Sequence, residues 1–334
     1  MCRIYIFSLL NLGNFVCLCL TETDILAGQS REYSGETKQA ADILRHLRDD
    51  IPSIAFGWLA SLDNALANIY IRSGEWRLAL GCFDSILGLI PEVARAEVRS
   101  ILGSNVDVTY VNGEIEELMR SLLTKSYSCE ILSRQGRIFL QIGALPAAEE
   151  VFYSARTLWA KLESLTSSSK PFPEEFSNRE KTLRVAIQSL MEINDGLLQF
   201  SQSNYDQALQ SFSNAIDILC KGGASLQSQY RTQDWLGPTF AGCEAPSVLY
   251  NEAVNNASLC NQYMCKMNDA VASLESLVKE DPAAFLTERV AFNLCTLYEL
   301  GSDSSAATRK KQVLQLIAKR FFLHDIGPES FRVA

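Results

Sequence analysis

The sequence predicts an all-α protein assembled from repeated helix–turn–helix pairs, and three observations carry that prediction. Small and aromatic residues recur at fixed spacing in four separate stretches. Apolar residues through most of the remaining chain fall in helical patterns. Proline and glycine-rich segments punctuate the chain where those patterns stop.

The clearest copy is "GRIFLQIGALPAAEEVF", residues 136–152. Number it so that Gly136 is position 8, Phe139 position 11, Ala148 position 20 and Phe152 position 24. In the same frame "LANIYIRSGEWRLALGCFDSILGLIP" places Ala67 at 8, Tyr70 at 11, Ala79 at 20, Phe83 at 24 and Pro91 at 32. A third stretch places Gly196 at 8, Ala208 at 20 and Phe212 at 24. A fourth places Ser258 at 8, Ala270 at 20, Leu274 at 24 and Pro282 at 32. This is the tetratricopeptide pattern, a helix–turn–helix unit of about 34 residues. Positions 8 and 20 are small so that two backbones approach closely where helix A crosses helix B. Positions 11 and 24 are large because they fill the groove beside that crossing. Proline at 32 is expected to stop helix B. Each unit leaves an apolar face that only a neighbour covers, so several units must stack.

Residues 1–57 are read as an N-terminal segment, an apolar start followed by a helix, and residues 58–334 as the solenoid. Two insertions are expected, at about 92–128 and 221–247. The first carries helical patterns in "EVARAEVRSIL" and "GEIEELMRSLLTKSY". The second is rich in glycine and polar residues and reads as a tolerated surface loop, or else as a partner-contact loop anchored by Trp235. After Pro282 two further helices, about 285–300 and 304–322, close the array, with Ser302 or Asp303 capping the second. The run from Ile4 to Leu20 is interrupted by Ser8, Asn11, Gly13 and Asn14. It is short of the roughly 20 apolar residues of a membrane span. It reads as a secretory signal, as an apolar first helix or as a truncated start.

Composition narrows the function. With 334 residues, 47% of them hydrophobic, the chain has ample core. A net charge of −9 without a long basic run argues against nucleic acid, whose phosphates need clustered cations. The densest basic patch, Arg309, Lys310, Lys311, Lys319 and Arg320, reads as the solvated face of one helix. Ten scattered cysteines read as buried free thiols of a reducing compartment. The Cys260–Cys265 and Cys17–Cys19 pairs lack a second pair at zinc spacing, so no metal is expected. There is no phosphate loop and no nucleophile elbow, and His46 and His324 lie in no motif. No enzyme and no cofactor are expected. Candidate partner contacts on the inward face of the A helices are Asn64, Asn68, Arg134, Arg137, Asn255 and Gln262. The first four suggest a clamp for a partner's C-terminal carboxylate. The apolar Leu190, Ile193 and Leu197 and the acidic Glu252 spoil it, and an ordinary helix or loop docking in the groove fits better.

Three stretches carry a more specific resemblance: "LSRQGRIFLQIGALPAAEEVF", "YNEAVNNASLCNQYMCKMNDAVASLESLVKEDP" and "TERVAFNLCTLYELGSDSSAATRKKQVL". With their double-Asn helix, "FNLCTLYEL" and final basic helix, they resemble the C-terminal tetratricopeptide region of the trafficking protein particle complex subunit 12 family. The resemblance spans about residues 58–322. It implies a non-catalytic scaffold of the TRAPP III tether and Rab exchange factor, acting in traffic between endoplasmic reticulum and Golgi and in autophagy. The implied partners are other TRAPP subunits and, indirectly, a Rab GTPase. Membrane association is then peripheral, through the complex, on the cytoplasmic side of the intermediate compartment and Golgi. The alternatives are a peptide-binding adaptor of the chaperone-partner type and a secreted or lumenal repeat protein.

Overall fold

The computed structural model describes residues 37–51, 55–105, 113–166, 172, 174–222, 244–323 and 326–331. The stretch from Ile4 to Leu20, the Cys17–Cys19 pair, His324, and Trp235 with most of its loop lie outside them. Among the described residues there are helices and turns and no strand. No helix among them is long and apolar enough to cross a membrane. The fold is the all-α tetratricopeptide solenoid that the pattern predicts. The chain divides into two compact units, Met1–Ser85 and Ile86–Ala334.

In the first unit α1 (Thr37–Asp50) packs on α2 (Phe56–Ser73), and α3 (Trp76–Asn105) begins. Leu44, Leu62, Leu66, Ile69 and Phe83 are buried. Two arginines of α1 reach α2. Arg45 Nε donates to the Tyr70 hydroxyl at 2.6 Å, and Arg48 pairs with the buried Asp63. Ser85 Oγ donates to the same carboxylate at 2.6 Å, so the one buried acid of α2 is fully satisfied.

The second unit stacks four helix pairs. They are α4 (Gly113–Gln141) with α5 (Leu145–Thr166), α6 (Glu174–Ser201) with α7 (Tyr205–Lys221), α8 (Pro246–Tyr263) with α9 (Met267–Glu280), and α11 (Glu288–Gly301) with α12 (Ser304–Arg320). A single turn, α10 (Pro282–Phe285), links the third pair to the fourth, and a 3-10 turn at Pro328–Phe331 packs on α11. The B helix of each pair packs on the A helix of the next: α5 on α6, α7 on α8, α9 on α11. Residues 92–105 extend α3 and residues 113–128 open α4. Tyr127, fully buried in α4, donates to Glu97 of α3 and accepts from Arg179 of α6 at 3.1 Å.

The turn between A and B fixes the repeat register independently of side chains. Position 15 is left-handed in all four copies: Gly74 (φ 76), Gly143 (φ 77), Ser203 (φ 64) and Cys265 (φ 60). One residue later the amide reaches five residues back. Glu75 bonds to Tyr70 O at 2.8 Å, Ala144 to Phe139 O at 2.8 Å, Asn204 to Gln199 O at 2.9 Å and Lys266 to Asn261 O at 2.8 Å. This is the Schellman cap, which turns the chain through a left-handed residue. Glycine holds that conformation without strain, whereas Ser203 and Cys265 hold it against a Cβ clash. Ser203→Gly and Cys265→Gly should therefore each stabilise by about 0.5–1 kcal/mol, and Gly143→Ala should destabilise by about as much. Urea midpoints at unchanged slope check this.

Small residues at positions 8 and 20 sit in the crossings. Ala79, Ala148, Ala208 and Ala270 are all completely buried. Ser258 at position 8 donates to Ala270 O at position 20, at 2.8 Å, so these positions face each other. The tightest neighbour of a position-8 glycine is the ring at position 24. A methyl on Gly136 would lie 2.3 Å from Phe152, and one on Gly196 would lie 2.6 Å from Phe212. At position 11 Tyr70 is buried and Phe139 only half-buried.

Two expectations are corrected. Pro91 does not stop helix B, since α3 runs through it to Asn105. Ile86, Ile90, Val93, Ala94 and Val98 continue one buried stripe across the proline, and that burial outweighs the missing amide. Pro282 does end its helix: α9 stops at Glu280, and Asp281 Oδ1 caps the next turn through the amides of Ala283 and Ala284. The basic patch on α12 is not one solvated face. Lys311 is buried and paired with Glu299, and Lys310 bonds to Glu275 at 3.2 Å while lying over the Tyr298 ring.

Candidate functional site: the inner row of A helices

Helices α4, α6 and α8 are successive A helices, with α4 packed on α6 and α6 on α8. Their positions 2, 5, 6 and 9 form the inner row of the array. On α4 these are Glu130, Ser133, Arg134 and Arg137; on α6, Leu190, Ile193, Asn194 and Leu197; on α8, Glu252, Asn255, Asn256 and Leu259. The spacing of 3 to 4 residues stacks each set on one helix face.

The outer two helices of this row are joined directly by side chains. Arg137 Nη1 donates to Glu252 Oε2 at 3.0 Å. Arg134 Nε donates to Glu130 Oε1 at 2.8 Å, and its Nη2 lies 3.5 Å from Glu244, just before α8. On the middle helix Leu190 and Ile193 are buried, and Asn194 Nδ2 donates to Ser133 Oγ at 2.7 Å. The polar groups are not all matched: Arg137 Nε and Nη2, Asn194 Oδ1 and Glu244 Oε2 are buried and find no hydrogen-bond partner among the described residues.

Burial sets the electrostatics. It pushes the Glu130 carboxyl up, against the pull of Arg134 and Arg137, and Glu244 pushes the same way. Burial also raises Glu252, opposed first by Arg137. For Arg137 burial opposes the charge, but Glu252, Glu244 and Glu130 outweigh it, so the guanidinium stays protonated. A carboxyl whose folded value is raised binds protons better in the folded state. Its contribution is fully present below the ordinary glutamate value of about 4.3 and is lost as pH rises through the raised value. Stability should therefore increase as pH falls through the raised value towards that range. Glu130→Gln, which fixes the uncharged form, should flatten this increase; melting temperatures of both proteins across the interval check it.

The six predicted contact residues divide between the two units. Asn64, half-buried, and Asn68, exposed, lie on α2 in the first unit. Arg134 and Arg137 are in the second unit, and their charges are met by Glu130, Glu244 and Glu252. Asn255 is buried and accepts from Asn293 Nδ2 of α11 at 2.8 Å, so it joins two helices. Gln262 is half-buried near the end of α8. Sequence reasoning missed Glu130, Ser133, Asn194 and Glu244. Glu130 was detectable as an acid four residues before Arg134, the spacing of a helical ion pair. Nothing in the sequence marks Glu244, which lies just before α8. Among the described residues no group of three or more His, Cys, Asp or Glu could hold a metal ion. The thiols of Cys129 and Cys260 are pushed up to about 12 by burial, which makes them poor nucleophiles.

The chain is 30% identical over 192 residues to trafficking protein particle complex subunit 12 of Mus musculus, covering 57% of this chain and 18% of that protein. It is 29% identical over 185 residues to the protein of the same name from Homo sapiens, covering 55% of this chain and 18% of that one. The resemblance carried by the three quoted stretches is thus matched by curated relatives, of whose length the chain spans under a fifth. No family model matches. Among solved structures, the TPR2AB-domain:pHSP90-complex of yeast Sti1 aligns over 90% of this chain and 92% of that chain at 11% identity, with a TM-score of 0.27.

Proposed function

We propose that this chain, a relative of subunit 12 of the trafficking protein particle complex, is a scaffold that holds other protein subunits of such a complex together. The observation that carries the reading is the 30% identity over 192 residues, in a chain built as a tetratricopeptide array. On this reading the chain does no chemistry itself. It belongs to the tethering and Rab exchange assembly that serves traffic between endoplasmic reticulum and Golgi, and autophagy. It works in the cytoplasm and meets membranes only through its partners. Affinity purification of the tagged full chain from cells, followed by mass spectrometry, tests this. Other trafficking particle subunits should co-purify in stoichiometric yield. A folded, soluble chain that returns none of them overturns it.

The internal pairing of Arg134 and Arg137 weighs against the adaptor alternative, because an incoming carboxylate would have to displace Glu244 and Glu252.

A further inference from the structure

The last helix of the array, α12, is apolar on two opposite faces. Ala307, Leu314 and Ala318 are buried against α11 and its surroundings, with Lys311 among them. At about 100° per residue the opposite face is formed by Arg309, Val313, Leu316 and Arg320, at spacings i, i+4, i+7 and i+11. Val313 is 55% exposed and Leu316 64% exposed. A surface helix is ordinarily polar or charged on the side opposite its buried stripe. Two aliphatic side chains in the middle of that side have no role in the helix's own packing.

Charge says what covers them. The chain carries −9, yet α12 contains five cations and no acid. Lys310 and Lys311 are spent on Glu275 and Glu299. Among the described residues no carboxylate pairs with Arg309, Lys319 or Arg320, and these three frame the aliphatic pair. We propose that this face docks an acidic amphipathic helix of a partner protein, with apolar residues at i, i+3 or i+4, and i+7 seated on Val313 and Leu316. Its flanking carboxylates meet Arg309, Lys319 and Arg320. A second copy of the same face fits poorly, since a two-fold contact sets Arg309 and Arg320 against their own kind. An anionic membrane would take up the cations, but two aliphatics offer it little to insert. The inference stands apart from the trafficking reading.

The test places a photo-cross-linking p-benzoylphenylalanine at the exposed Gln312, beside the face, in the full chain expressed in cells. The cross-linked segment is then identified by mass spectrometry. The expected adduct is a segment of another protein with helical apolar periodicity and net negative charge. Leu316→Asp should reduce it roughly tenfold or more, as loss of a central apolar anchor does. The double variant Arg309→Glu, Arg320→Glu should abolish it, and the parent adduct should weaken as salt rises. All these substitutions are at exposed positions, so melting temperatures should stay at the parental value and rule out misfolding. An adduct to a second copy of the chain, to lipid or to a segment without acids overturns the proposal. So does no adduct, or one that survives Leu316→Asp. If the acidic-helix adduct forms while no trafficking subunit co-purifies, the trafficking reading falls and this one holds; the converse separates them equally.

Discussion

Ala148→Asp should unfold the α4–α5 pair and, with it, most of the array. Ala148 is completely buried at position 20, on the B helix of the α4–α5 crossing. A carboxylate there would be fully buried, and its desolvation adds to the overpacking from the larger side chain. Ala148→Leu isolates the steric part, about 1–3 kcal/mol. The aspartate should cost more than that and lower the melting temperature sharply. Because each repeat is stabilised by its neighbours, the loss should spread to α6 and α7 rather than stay local. Glu149 and Glu150 are exposed on the same helix, so Glu149→Ala should stay within about 0.5 kcal/mol. Thermal melts of the three variants beside the parent decide it. An aspartate variant that melts like the parent, with a damaged Glu149→Ala, means the register is wrong.

Glu252→Ala is the second large effect, expected at about 3–5 kcal/mol. The magnitude comes from what remains. Arg137 stays charged, already carries two buried nitrogens without a hydrogen bond, and loses the one carboxylate oxygen it does bond. Removing both partners should cost far less, since an apolar pair of similar volume replaces a pair that was expensive to desolvate. Arg137→Met with Glu252→Met is therefore expected within about 1–2 kcal/mol of the parent, which makes the coupling between the two positions the measured quantity. Urea titrations of both single variants and the double complete the cycle. Additive losses would mean that the two side chains do not bear on one another in solution.

The packing pattern was legible because it is local. A small residue at position 8, alanine at 20 and a large residue at 24 report on two helices only about a dozen residues apart, and Gly136 against Phe152 is a contact within one such pair. The inner row was not legible for the opposite reason. Arg137 and Glu252 are separated by 115 positions, and a charge pattern read along one helix does not say which charges on another helix meet it. Arg134 and Arg137 therefore looked open to a partner when they are paired within the chain. Pro91 misled in a different way. Its local effect on the backbone is real, but the buried stripe from Ile86 to Val98 belongs to tertiary packing, which overrides it.

The clasp between α4 and α8 also has a mechanical meaning. An open solenoid behaves like a spring: pulled at its ends it lengthens by small slips between adjacent coils, each resisted only by one interface. Here Arg137–Glu252 and Arg134–Glu244 tie coils that are not adjacent, so the coil between them cannot extend until the tie breaks. The segment from α4 to α8 is thus stiff under small loads and yields abruptly at a threshold. Such an element transmits displacement between its ends instead of absorbing it.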